Sequence, residues 1–148
     1  MKKSLLFLMM FSSSVYAGSP VNPDPTITPG VVDPQSTIEK ICTVGYTKTV
    51  RNVTQKMKNK VFELYDVDPN SDKFEVDHLI SLELGGSNDL KNLWPESYTT
   101  TPYNAHDKDV LENKLHDMVC ADKIPLVQAQ IEIASDWVRA YKKYVEQH

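Results

Sequence analysis

Apolar residues form one short unbroken run near the start of the chain, Leu5 to Phe11, and afterwards recur only among polar ones. Val53, Met57, Val61 and Leu64 or Tyr65 step at helical intervals, predicting an amphipathic helix over Asn52–Tyr65. Just before it, Gly45-Tyr46-Thr47-Lys48-Thr49-Val50-Arg51 alternates as a strand does. Asp66–Asp72, with Pro69 and Asn70, reads as a turn. The segment from Phe74 to Ile80, then Gly85-Gly86, then Leu93-Trp94, predicts a β-hairpin. Glu96 to Pro102 reads as irregular. Beyond it Leu111, Leu115, Met118 and Val119 fall on one stripe when residues advance about 100° each, so Asn104–Cys120 is predicted helical. Ile124-Pro125-Leu126 opens a last helix, in which Leu126 or Val127, Ile131, Ala134, Trp137 or Val138, Tyr141 and Tyr144 recur to the end. That aromatic row is assigned to packing.

The first run changes meaning once its flanks are read. Lys2 and Lys3 precede it and Ser12 to Ala17 follow, the layout of a secretory signal peptide over 1–17. The run is far shorter than the ~20 apolar residues that span a bilayer, and no later segment qualifies, so no membrane anchor is expected. Residues 18–37 carry Pro20, Pro23, Pro25, Pro29 and Pro34 among small and polar residues, predicting a flexible leader. Residues 38–148 remain as one small α+β domain. Export places Cys42 and Cys120 in an oxidising compartment, where the two are expected to form a disulfide.

Net charge is −4, and loss of Lys2 and Lys3 takes it to −6, which by itself speaks against a nucleic-acid partner. Its distribution points the other way. Lys40, Lys48, Arg51, Lys56, Lys58 and Lys60 follow one another with no Asp or Glu between them. A local basic stripe is what phosphate contact needs, whatever the total charge. Lys48 and Arg51 are the preferred nucleic-acid contacts, because an aromatic residue stands beside them. A solvated basic face is an equally good account of Lys56, Lys58 and Lys60. Neither a glycine-rich phosphate loop nor an internal repeat is present.

Glu75-Val76-Asp77-His78-Leu79-Ile80, Gly85-Gly86 and Asn92-Leu93, in that order, resemble the HNH endonuclease motif of the ββα-metal (His-Me finger) nucleases. A longer set covers Cys42 to about Tyr144: Cys42-x-x-Gly45-Tyr-Thr-Lys-Thr-Val-Arg51, Asn92-Leu-Trp-Pro95, Lys108-Asp109-x-x-Glu112 and Val119-Cys120. It is similar to a group of small exported bacterial proteins labelled HNH-like. The resemblance implies a β-hairpin plus α-helix metal finger with flanking helices, and a hydrolase acting on DNA, or else RNA. In it His78 is the general base, Asp77 a ligand of a divalent cation (Mg²⁺ or Mn²⁺ first, Zn²⁺ or Ni²⁺ as alternatives), and Asn92 the residue that holds the loop closed and helps orient His78.

An imidazole with an ordinary pKa of about 6.5 is mostly free base at neutral pH, as the role requires. On a regular strand, however, Asp77 and His78 point to opposite faces, and His78 shares its face with Val76 and Ile80, as a satisfied core histidine would. The third metal position stays open between two residues. Helical stepping places Asn104 with Lys108 on the stripe facing the hairpin, making Lys108 a phosphate contact; the family pattern prefers His106. His116 reads as a helix-surface residue. A monomer is expected. A toxin with this chemistry would have an immunity protein as partner, and a non-catalytic exported scaffold that keeps the finger is the alternative from another class.

Overall fold

The structure, a computed structural model, describes residues 21–147; the expected signal peptide lies outside them. Among the described residues the chain is a mixed α+β fold with five α-helices, a two-stranded antiparallel hairpin and one disulfide. The helices are α1 (Ile38–Ile41), α2 (Tyr46–Val50), α3 (Gln55–Leu64), α4 (Ala105–Cys120) and α5 (Leu126–Tyr141). The strands are β1 (Phe74–His78) and β2 (Leu93–Ser97), with Glu75 opposite Glu96, Asp77 opposite Trp94 and His78 opposite Leu93. Among the described residues no helix is long and apolar enough to cross a membrane.

Residues 79–92, between the strands, hold two 3₁₀ turns, Leu82–Leu84 and Leu90–Asn92. Gly85 adopts a left-handed φ of 75°, and a Cβ on Gly86 would lie 1.7 Å from the Ile80 carbonyl oxygen, so only glycine closes this loop. Thr54 caps α3 by accepting from the Met57 amide, and Asn104 and Asp107 form a reciprocal capping box at the start of α4. α4 packs on α5 through Leu111, Leu115, Val119, Ala129, Ile133, Trp137 and Ala140, with Ile80 and Leu84 from the loop on the same core. Each large side chain buried there contributes about 1.5–3 kcal/mol. The last helix is interrupted at Asp136 (φ −169°, ψ 93°), whose carboxylate accepts from the Arg139 amide, and it finishes as a π-helical turn, Lys142–Glu146.

Two expectations need correction. Residues 46–50 are helical rather than extended, because among the described residues no third strand lies beside the hairpin and a helical turn satisfies its own backbone groups. The segment expected as a flexible leader is, from Val21, a packed strap. The Trp137 indole donates to the Val21 carbonyl at 2.6 Å, the buried Thr28 hydroxyl to the Leu93 carbonyl at 2.9 Å, and Gly30 N to the Lys91 carbonyl at 3.0 Å. Val32 bridges Gly86. Prolines keep this strap out of helices and central strands, yet its Gly30, Val31 and Asp33 amides find partners on the hairpin loop. The expected Cys42–Cys120 disulfide is present, linking residues 78 apart and stabilising the fold by about 4 kcal/mol in the chain-entropy view.

Candidate functional site

Asn92 sits at the centre of the loop with no exposed surface. Its Oδ1 accepts from the Ile80 and Val31 amides at 3.0 and 3.2 Å, while its Nδ2 donates to the Ile80 and Ser87 carbonyls at 3.0 and 2.8 Å. Four bonds from one side chain tie strap, strand end and loop together. Asn92 thus holds the loop closed, but the amide that touches His78 belongs to Asn88.

His78 ends β1 and is 1 % exposed. Its Nε2 lies 3.1 Å from Asn88 Oδ1. The same oxygen accepts from the Asn52 amide at 3.0 Å, and Asn88 Nδ2 donates to the Val50 carbonyl at 2.8 Å. These two backbone bonds fix which end of the Asn88 amide is oxygen, so His78 Nε2 carries the proton and Nδ1 is the basic nitrogen. Burial pulls the His78 pKa below its ordinary value, outweighing Asp77 and the Asn88 bond, and the ring is neutral at pH 7. Sequence reasoning missed Asn88, which looks like any asparagine in a Ser-Asn-Asp turn.

Asp77 faces α4 instead. Lys108, fully buried, donates to Asp77 Oδ2 at 2.6 Å, to the His78 carbonyl at 2.8 Å and to Glu112, and lies 4.0 Å from Glu96. Helical stepping put Lys108 on the correct face, but a side chain with no exposed surface does not reach a phosphate, and that assignment is corrected. Burial pushes Asp77 up, yet the Lys108 ammonium prevails and holds its carboxyl below the usual range. Burial alone would lower Lys108, but Asp77, Glu112 and Glu96 raise it well above the ordinary lysine value. Burial also pushes Glu96 up to about 10 and Glu112 to about 7, each with Asp77 adding to the rise. At neutral pH the cluster therefore holds an ammonium, the Asp77 carboxylate, a protonated Glu96 and a half-titrated Glu112.

Of the two candidates for the third metal position, Asn104 spends its side chain on the α4 cap. His106 is exposed and lies against the Tyr98 ring, centroids 5.6 Å apart. Asp77 keeps 18 % of its side chain exposed. Beside it stand Glu75 and Asp109, both raised by burial and by the charge of Asp77, and Asp109 also feels His106 and Arg51. Oxygen donors with one imidazole suit a hard divalent cation, which commonly takes only one or two protein carboxylates and fills its shell with water and phosphate oxygens. Among the described residues the one group of ligand atoms within 4.8 Å of one another is elsewhere, at Cys42, His116 and Cys120, where the disulfide already consumes both sulfurs. His116 Nε2 lies 3.2 Å from the Ile41 carbonyl.

Arg51 follows α2 and is exposed, and it shares a cleft of about 440 Å³ with Lys58, Phe74, Glu75, Val76 and Tyr98. Lys48 is exposed on α2 and does not line that cleft. A larger hollow, about 640 Å³, runs along α5 between Pro125 and Lys143 and includes no hairpin residue. No protein-family model matches the chain, and neither does any curated protein or solved structure.

Proposed function

We propose that the chain is a metal-dependent nuclease of the HNH-like (ββα-metal) type, exported from a bacterium, that hydrolyses phosphodiester bonds of DNA, or else RNA. The observation that carries this reading is the state of His78. It is a neutral imidazole whose tautomer is set by a backbone-anchored amide, with Nδ1 left as the basic nitrogen.

In this reading Nδ1 takes the proton of the attacking water, while the Nε2–H bond to Asn88 holds the ring and stabilises the imidazolium that forms. Asp77 and His106 would hold the divalent cation, which, when bound, supplies charge for the non-bridging and leaving oxygens. Lys108 and Asn92 act on the frame: one fastens the last turn of β1 to α4, the other fastens the loop that carries Asn88. Arg51 lies close enough to His78 to lower its pKa and, being exposed, would meet the substrate phosphate.

A second reading also has an observation behind it. Asp77 is already satisfied by a buried lysine, as it would be in an exported binding scaffold that keeps the hairpin and has lost its cation. Incubating the chain with supercoiled plasmid, single-stranded DNA and RNA in Mg²⁺ or Mn²⁺, and again with chelator, separates the two. The nuclease cleaves at least one substrate only when the cation is present; a scaffold cleaves none while melting cooperatively.

A further inference from the structure

The cleft beside the site is not used by the chemistry above, and its lining is specific. Phe74, Glu75 and Val76 of β1 line the cleft, which therefore ends two residues along the strand from His78. Arg51, on the opposite wall, is followed by the Asn52 amide that Asn88 Oδ1 holds, so this wall is pinned to His78 through one side chain. α3 closes the side with Gln55, Lys58 and Phe62. Tyr98 closes the end, one ring from His106.

We infer that this cleft receives one unpaired nucleotide next to the scissile phosphate, its base against Tyr98 and Phe74 and its phosphate on Arg51 and Lys58. The inference rests on the nuclease reading and specifies its substrate as single-stranded or locally unpaired nucleic acid. Three observations favour that occupant. About 440 Å³ is the size of a small-ligand pocket and accepts a single base, whereas a stacked, paired base keeps its faces covered and does not enter. Aromatic faces beside cations are the usual platform for unpaired bases, because every base has a π-face and every phosphate a charge. Neither Arg51 nor Lys58 forms an ion pair among the described residues, so both cations are available. Glu75, the one acid in the lining, turns phosphate toward the Arg51–Lys58 side and offers an acceptor to a base amino group.

The test is binding rather than cleavage. Full-length protein carrying His78→Ala is titrated, with Mg²⁺ present, into a short fluorescent single-stranded oligonucleotide and into its duplex, following anisotropy. Tyr98→Leu and Lys58→Ala are then added one at a time, with Lys123→Ala, in the turn after α4, as a control. The single strand should bind tighter than the duplex, and each cleft substitution should weaken it by about fivefold or more. Lys123→Ala should leave it unchanged. Single-strand binding that survives both substitutions, or a preference for duplex, overturns the cleft while leaving the nuclease standing. Binding of neither oligonucleotide overturns both. Lys58 is half-exposed on α3, so its substitution keeps the fold if Tyr98→Leu does not.

Discussion

Asp77, turned toward α4, meets a buried ammonium and two further carboxyls, whereas His78, one residue on, meets a single neutral amide that is itself tied to backbone. Both side chains leave the same strand end, and strand alternation sends them to opposite sides. On the Asp77 side Lys108 spends its ammonium on Asp77, Glu112 and the His78 carbonyl, while Glu96 Oε1 is buried with no hydrogen-bond partner among the described residues. On the His78 side burial keeps the ring uncharged, and among the described residues only Nε2 has a hydrogen-bond partner. The Asp77 side is fastened by a buried lysine yet leaves 18 % of the Asp77 side chain exposed, where the proposed cation would bind, and the His78 side supplies the proposed base. The two are joined at one atom, the His78 carbonyl, which accepts from Lys108.

Breaking the charged side should show the largest effect on stability. Lys108→Met leaves Asp77 and Glu112 buried without their cation, and chemical denaturation should record a loss of about 3–5 kcal/mol. Asn92→Ala comes next. It strands two backbone amides and two carbonyls in the loop, with an expected cost of on the order of 3 kcal/mol and faster amide exchange at Ile80 and Val31.

Effects on the histidine side should spare stability and appear in rates. Asn88→Ala frees the ring and removes a bond that raises the His78 pKa, so cleavage should slow by roughly tenfold. The acid limb of its pH–rate profile should also move to lower pH. Back on the charged side, and read in stability, Glu96→Gln is the mildest change. The Glu96 carboxyl titrates near 10 in the fold against an ordinary value of 4.5. The folded state then binds the extra proton between those values, and its contribution to stability is full below 4.5 and lost as pH rises toward 10. Glutamine keeps a neutral group there, so Glu96→Gln should change stability little at pH 5 and flatten its decline between pH 5 and about 10.

The hairpin was legible because an apolar run, a Gly-Gly pair and a following apolar segment are local signals. The disulfide was legible for a different reason: two cysteines in a chain whose start reads as a signal peptide leave one pairing. Residues 46–50 misled because alternation over so few positions carries no information about whether a neighbouring strand exists. The proline-rich strap misled because its order comes from bonds to Leu93, Lys91 and Asn92, all more than sixty positions away. Lys108 shows where local reading stops. Its face on α4 follows from helical stepping, but its burial follows from Asp77 and Glu96 across the fold, and no window of sequence holds all of them. For Asn88 the surrounding residues gave no sign, since its role is defined by a histidine ten positions earlier and a helix end thirty-eight positions before it.

The central claim is that His78 is the base of a hydrolytic site whose fold does not depend on that side chain's chemistry. Its most direct test compares wild type with His78→Ala on one substrate at fixed Mn²⁺ and pH 7.5, under single-turnover conditions, with circular dichroism and melting recorded on the same samples. The account predicts a cleavage rate lower by about 10²–10⁴-fold in a variant that still melts cooperatively. Equal rates for the two proteins, or no cation-dependent cleavage by the wild type, would contradict it.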